Sequence, residues 1–361
     1  MKILYIGNYL DGTGWSNACL ANILALDSAG LEVVPRAIKI NNFMGEIPPR
    51  IKELEGKSPK NPDIVIQHVL PHMSDYDGHI THNIIWYCTE TSGFNHTVWP
   101  TKINKMDAAW VLNNQSKAAS IEAGVTIPIN VIPYSTDISK FRKSYKPISF
   151  RSEAPERFVF YTIGEINRRK NLRAFLQAFH TEFALHEPVD IVIKTTPVGI
   201  SKDEILKFCA DVKKNLFLRG EASYKQERVI CEYWNEEGVL RLHSSGDCFV
   251  CTSSGEAWSI PTFDALGMGR SVIGPRSTGF VEYLNDDNSW LVDTHKEACF
   301  GSPGNSSRES WQTIDINGLR RAMREVYENS EMRKQKSRAG RKRAEDFSYE
   351  KVGKIMKEVL K

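Results

Sequence analysis

A chain of 361 residues is too long for one ordinary hydrophobic core and fits two domains of roughly 150 to 200 residues each. With 41% hydrophobic and 25% charged residues both domains have the material for packed cores, and a formal charge of +3 gives no ground for a nucleic-acid partner. No apolar run approaches the roughly 18 residues of a membrane helix, "MKILYIGNYLDG" is too short in apolar residues for a signal peptide, and seven scattered cysteines suit a reducing compartment. A cytoplasmic protein is expected.

In chain order, short apolar runs alternate with amphipathic stretches, the pattern of parallel sheets wrapped by helices. The first series of strands is predicted at "KILYIG", "LEVVPRA", "DIVIQHV", "NIIWYCT", "AAWVLN" and "INVIPYS". A second series starts at "RFVFYTIG" and continues through "DIVIKTT", "NLFLRG", "DCFVCTS", "SVIGP" and "SWLVD". Between them "SYKPISFRSEAPE" is polar, carries two prolines and reads as a linker. The expected fold class is α/β, with two Rossmann-like doubly wound domains, 1–145 and 155–345, facing across a cleft. Open parallel sheets bind ligands at the carboxyl ends of their strands.

Three loops carry the chemistry. The first strand leads into "GNYLDGTGWSNACLANILALDSAG", where Gly12 and Gly14 let the backbone approach a ligand and the next helix offers its N-terminal amides to an anion. As G-x-G-x-x-G the stretch fails at Asn17, so a phosphate or sugar approach loop is expected rather than a dinucleotide site. In the second half, "YTIGEINRRKNLRAFLQAF" puts Arg168, Arg169 and Lys170 before a helix start, where cations oppose the helix dipole. A shared anion such as a diphosphate makes sense of them. "SSGEAWSIPTFDALGMG" places Glu256 in a strand-to-helix loop and Asp264 in the first helical turn, either side of a helix N-terminus with amides from Trp258 through Ser259 to Ile260. The pair Cys248 and Cys251 reads as core packing, and the D-x-D at Asp75 to Asp77 as a loop rather than a metal site.

"GEAWSIPTFDALGMGRSVIGP" resembles the signature of family 4 retaining glycosyltransferases with the GT-B fold: an acid, a proline five residues on, and a second acid eight residues on. "GTGWSNACLANILALDSAGLEV", "GVTIPINVIPYSTDISKF", "GEINRRKNL" and "STGFVEYL" are similar to other motifs of that family, in the family's order. The resemblance implies a retaining hexosyltransferase working without a bound metal or other cofactor, its donor a nucleotide-diphosphate sugar such as GDP-mannose or a UDP-hexose. By it, Glu256 binds the transferred sugar, Asp264 takes the ribose hydroxyls, and Lys170 with Arg169 or Arg168 neutralises the diphosphate. Amides at Gly14 and around Trp258, Ser259 and Ile260 complete the cradle. The family usually has Glu where Asp264 stands, and often Arg where Glu165 stands. "EDFSYEKVGKIMKEVLK" resembles its last helices, so a helix at about 347–361 is expected to cross back to the first domain.

The acceptor implied is a glycan or a lipid-linked glycan, as in bacterial surface polysaccharide or lipopolysaccharide synthesis. "WYCTETSGFNHTVWP", with Glu90, resembles the acceptor-facing loop of some members; His68, ending "DIVIQH", is either a structural hydrogen-bonder or a group facing the cleft. The basic run "MRKQKSRAGRKR" is either a solvated helix face or a contact for anionic lipid at the inner membrane surface. Two alternatives share the fold: a sugar-nucleotide epimerase or phosphorylase, and a nucleotide-sugar binding protein without activity.

Overall fold

All six apolar runs of the first half form strands of one parallel sheet in the computed structural model, which describes residues 1–42, 44–217, 224–299 and 308–361. These are β1 (Lys2–Gly7), β2 (Glu32–Ala37), β3 (Ile64–His68), β4 (His82–Trp86), β5 (Ala108–Val111) and β6 (Ile129–Val131), in the order β2-β1-β3-β4-β5-β6. Helices α1 (Gly14–Ser28), α2 (Pro49–Glu55), α3 (Trp99–Ile103) and α4 (Asn114–Glu122) connect them. The strands are continuous apolar runs because a parallel sheet is covered on both faces. One face packs Ile3, Tyr5, Ile66, Trp86 and Trp110 under α1, and the other packs Ile85, Tyr87, Ala109 and Val111.

A second parallel sheet follows, ordered β12-β11-β10-β7-β8-β9. After α5 (Ser149–Glu153) come β7 (Phe158–Ile163), α6 (Leu172–Glu182), β8 (Val189–Thr195), α7 (Lys202–Lys214), β9 (Glu227–Cys231), α8 (Glu236–Ser245), β10 (Cys248–Val250), α9 (Ile260–Gly267), β11 (Ser271–Pro275) and β12 (Trp290–Val292). An antiparallel hairpin, β13 (Thr294–Ala298) with β14 (Ser310–Ile314), precedes α10 (Ile316–Glu328) and α11 (Ser330–Ala344). α12 (Tyr349–Val359) ends the chain.

The chain divides into one unit of Met1–Ile138 with Glu345–Lys361 and another of Ser139–Ala344. The stretch read as a linker thus lies inside the second unit, where it is held by backbone bonds. Ile148 N–H donates to Ser245 Oγ (2.8 Å), Arg151 Nε to Ser245 O (2.7 Å) and Arg241 Nε to Lys146 O (2.9 Å). The run "NLFLRG" contributes no strand as far as Phe217, and its residues 218–220 lie outside the described residues. The third strand on that side is β9, whose "ERVIC" alternates buried and exposed positions at the sheet edge. Neither it nor the polar hairpin carries an apolar run that would announce a strand.

The basic run lies on α11, and four of its cations hold backbone carbonyls. Arg333 donates to Tyr327 O, Lys336 to Ser289 O, Arg341 to Met268 O at the end of α9, and Arg343 to Glu282 O. Cations belong at such carbonyl ends, which carry partial negative charge. These four side chains therefore have a structural task that needs no lipid. No helix among the described residues is long and apolar enough to cross a membrane.

In the first unit α12 returns to pack on α1. Gly353 makes the close approach possible, since a Cβ there would lie 2.2 Å from Ala25 O. Thr136 N–H, donating to Phe347 O (2.9 Å), ties the returning chain to the strand exit. Gly353→Val forces these helices apart and is expected to cost about 1–3 kcal/mol, read as a lowered Tm or urea midpoint.

Candidate functional site

Sheet order alone singles out one place in the second unit. The chain runs β7, β8, β9 in one direction, then α8 carries it back to β10 on the other side of β7. The loops that leave neighbouring β7 and β10 diverge at their carboxyl ends, and such a switch point is where doubly wound sheets hold ligands. One of these loops contains Arg168, Arg169 and Lys170; the other contains Glu256 and leads into α9.

The two loops are stitched together. Ser254 N–H donates to Arg169 O (2.7 Å), and Thr252 Oγ1 donates to Asn171 O (2.9 Å). Glu256, 5% exposed, receives three donors on one oxygen: Arg169 Nη1 (2.9 Å), Ser253 Oγ (2.7 Å) and Lys170 Nζ all meet Oε1. Its other oxygen, Oε2, is not committed to these groups. Burial pushes the carboxyl up, but the Lys170 and Arg169 charges outweigh it and hold the group below the ordinary glutamate value. Arg169 also donates to Gly255 O (2.6 Å). Arg168 points elsewhere, pairing with Glu297 of β13 at 2.8 Å. Of the three cations, the structure gathers Arg169 and Lys170 around Glu256.

Strain marks the same place. Ser259, the N-cap of α9, has φ 68°, a left-handed conformation uncommon for serine, and its hydroxyl pairs with Thr262 Oγ1 (2.7 Å) rather than an amide. Asn171, the N-cap of α6, has φ 50° and takes Ala174 N–H on its side chain. The carbonyl of buried Trp258 is fixed by the Tyr283 hydroxyl at 2.6 Å. α9 begins at Ile260 with Pro261 in its first turn, as the sequence predicts, and its first turn carries no acid. Its N-terminal amides lack intrahelical partners, as in any helix, and carry partial positive charge.

Asp264 differs from expectation in its place on α9. It lies in the second turn of α9, and it is 3% exposed with Lys140 Nζ 3.0 Å from Oδ1. Burial raises its carboxyl, and the Lys140 charge offsets this only in part. Sequence reasoning missed Lys140, which sits between apolar Ile138 and Phe141 with nothing to mark it, and missed Ser253 and Glu297.

The first unit holds the remaining candidates. Gly14 opens α1, with Thr13 as its N-cap and open space beside its Cα. Gly12, φ 71°, instead meets backbone: a Cβ on Gly45 would lie 2.5 Å from Gly12 Cα. The loop is braced by Asp11, which accepts from Thr13 N–H (3.0 Å), Asn8 Nδ2 (2.6 Å) and Asn41 Nδ2 (2.7 Å). His68 is 2% exposed, stacked on Trp86, with Tyr5 Oη 2.7 Å and Cys19 Sγ 3.2 Å from Nδ1. Burial lowers its pKa to about 3, so the ring is neutral near pH 7. Glu90 is half-buried after β4, in a loop tied by Thr91 Oγ1 to Gly93 O (3.0 Å).

No family model and no curated sequence matches the chain. Among solved structures it is similar over its whole length to sucrose-phosphate synthase from Thermosynechococcus elongatus (TM-score 0.68, 13% identity, 100% of this chain and 98% of the other). It is also similar to Anabaena HepE in complex with UDP and glucose (TM-score 0.67, 13% identity, 100% and 99%). A third is a UDP-forming trehalose-phosphate synthase from Burkholderia xenovorans (TM-score 0.68, 9% identity, 100% of each). At such identity the likeness establishes the fold, the two doubly wound sheets of the GT-B glycosyltransferases.

A carboxyl held below its ordinary value stabilises the fold above about pH 4.5 and loses that contribution as pH falls through its lower folded value. Glu256→Gln leaves two part-buried cations without a counter-charge and is expected to cost about 1–3 kcal/mol at pH 7. The gap to wild type should narrow as pH falls below the ordinary glutamate value of about 4.5. Thermal unfolding of both proteins from pH 7 to pH 3 measures it.

Proposed function

We propose that the chain is a glycosyltransferase that moves a hexose from a nucleotide-diphosphate sugar to a glycan or lipid-linked glycan, with retention at the anomeric carbon. The observation that carries the reading is Glu256 Oε1 held between Lys170 and Arg169 beside the N-terminus of α9, at the switch point of the second sheet. Cations and helix amides in one place suit a departing diphosphate, and a carboxylate within reach of them suits positive charge developing at the sugar carbon. Because the three donors meet on Oε1, Oε2 is the oxygen offered to a sugar hydroxyl.

In this reading the bond from the anomeric carbon to the diphosphate oxygen breaks, and Lys170, Arg169 and the α9 amides hold the leaving charge. The acceptor oxygen then bonds to the same face of that carbon and gives up its proton toward the departing phosphate. The first unit, with the Glu90 loop after β4, is assigned the acceptor. No step requires a metal, since this chain's cations supply the counter-charge. A solved neighbour holds UDP-glucose, so UDP-hexoses are the donors to try first and GDP-mannose the next.

Release of nucleoside diphosphate from UDP-, GDP- and ADP-hexoses by the purified protein tests the proposal, with acceptor glycans present and in excess EDTA. Wild type is expected to turn over one donor at an EDTA-insensitive rate and to give a product with the donor's anomeric configuration by NMR. Glu256→Ala and Lys170→Ala should each lower kcat by about 100-fold or more. A Glu256→Ala variant as fast as wild type removes the catalytic assignment. Turnover without acceptor to an isomeric donor would make the protein an epimerase, and a strict need for inorganic phosphate a phosphorylase.

A further inference from the structure

We propose that the second unit carries another ligand site, a cavity between the β7 loop and the β13–β14 hairpin, and that it takes an amphiphilic anion: an aliphatic or aromatic body with one phosphate, sulfonate or carboxylate head. The inference goes beyond the donor reading and uses none of Glu256, Lys170 and Arg169. The cavity measures about 830 Å³. Small-molecule sites usually fall between about 300 and 1,000 Å³.

The hairpin accounts for the space. β13 and β14 pair in a sheet of their own, so this segment stands off the six-stranded sheet on its way from β12 to α10. It is fastened on the side of the Glu256 loop. Gln312 N–H donates to Ser254 O (2.8 Å), and Thr313 Oγ1, which lies 3.3 Å from Ser254 Oγ, donates to Glu297 Oε2 (2.6 Å). The opposite wall is the first two turns of α6 with Phe208 of α7. Ile166, Leu172, Phe208, Trp311 and Ile316 give the lining its apolar character. Of these, Ile166, Phe208 and Ile316 are only half-buried at the margin of the core, and an apolar body laid on them removes their surface from water.

The cations choose the head group. Arg168 and Arg173 both line the cavity. Arg168 is held by Glu297 at 2.8 Å, whereas Arg173 lies over the Phe208 ring, 5.2 Å from its centroid, and pairs with no acid among the described residues. Arg173 also sits in the first turn of α6, which contains no acid, so its charge adds to the positive end of the helix. The opposition of cations and helix dipole is relieved for Arg169 and Lys170 by Glu256 and for Arg168 by Glu297, but not for Arg173. The two acids of the lining are already engaged, Glu297 by Arg168 and Thr313, and Asp315 by the Asn317 and Gly318 amides at the start of α10. An anionic head at Arg173 therefore supplies the missing charge, and the apolar lining remains for the body.

Titration of the whole protein with anilinonaphthalene sulfonate and octyl phosphate, against octanol and inorganic phosphate, tests the site. Wild type is expected to bind a single equivalent of the fluorophore and to release it to octyl phosphate. Octanol should displace it only at about tenfold higher concentration, and inorganic phosphate or UDP not at all. Arg173→Glu, whose new acid suits the first turn of α6, should keep the wild-type Tm and weaken both amphiphilic anions about tenfold while octanol binds as before. Gln177→Trp, which puts an indole into the cavity from a half-buried position on α6, should abolish binding of all three. The proposal is overturned if the fluorophore binds wild type not at all or at several equivalents, if UDP displaces it, if octanol matches octyl phosphate, or if either folded variant binds as wild type does. Should Gln177→Trp fail to fold, the surface variant Arg173→Glu decides.

Discussion

A carboxylate removed from water must keep its counter-charge beside it, and in the second unit this requirement fastens two loops to each other. Glu256 is buried, so Lys170 and Arg169 have to come to it, and both belong to the loop after β7 whereas Glu256 follows β10. β7 and β10 are neighbours only because the chain reverses its direction of winding between them. The backbone N–H of Ser254 and the hydroxyl of Thr252, both donating to carbonyls of the β7 loop, then hold the charges in register. The left-handed Ser259 and Asn171, each heading a helix on one of these loops, show that tight loop geometry is kept at both helix starts despite its conformational cost.

Legibility in the sequence followed burial. Strands covered on both faces, such as "KILYIG" and "DIVIQHV", are built on apolar runs, Ile3 to Ile6 and Ile64 to Ile66, and declare themselves. β9 does not, because as an edge strand it carries Glu227 and Arg228. Glu227 in turn is buried with His180 at 2.6 Å and Lys213 at 2.8 Å, a charged core cluster that no apolar period can reveal. The hairpin β13–β14 is invisible for a similar reason, since "THKEA" gains its strand form from pairing with β14 and from Glu297 meeting Arg168 and Thr313.

The site itself was legible in part. The cations before α6 oppose its dipole, a local contradiction that the sequence reading resolved with a bound anion such as a diphosphate. Within the chain, Glu256 pairs with Arg169 and Lys170, and Glu297 with Arg168. The partner of Asp264 was not legible, because a lysine distant in sequence gives no sign that it will be buried. Nor was the close approach of Gly12 to Gly45.

The two acids of the GEAWSIPTFD stretch obey one electrostatic rule with opposite consequences. Lys170 and Arg169 retain 24% and 16% side-chain exposure, enough for an arriving anion to share them without taking them from Glu256. Lys140 has no such edge, so any anion that drew it away would strand Asp264 in a medium that penalises an unpaired charge by several kcal/mol. The pair at Glu256 thus keeps a solvent-facing side, while Lys140 ties Asp264 of α9 to the segment that follows Ile138.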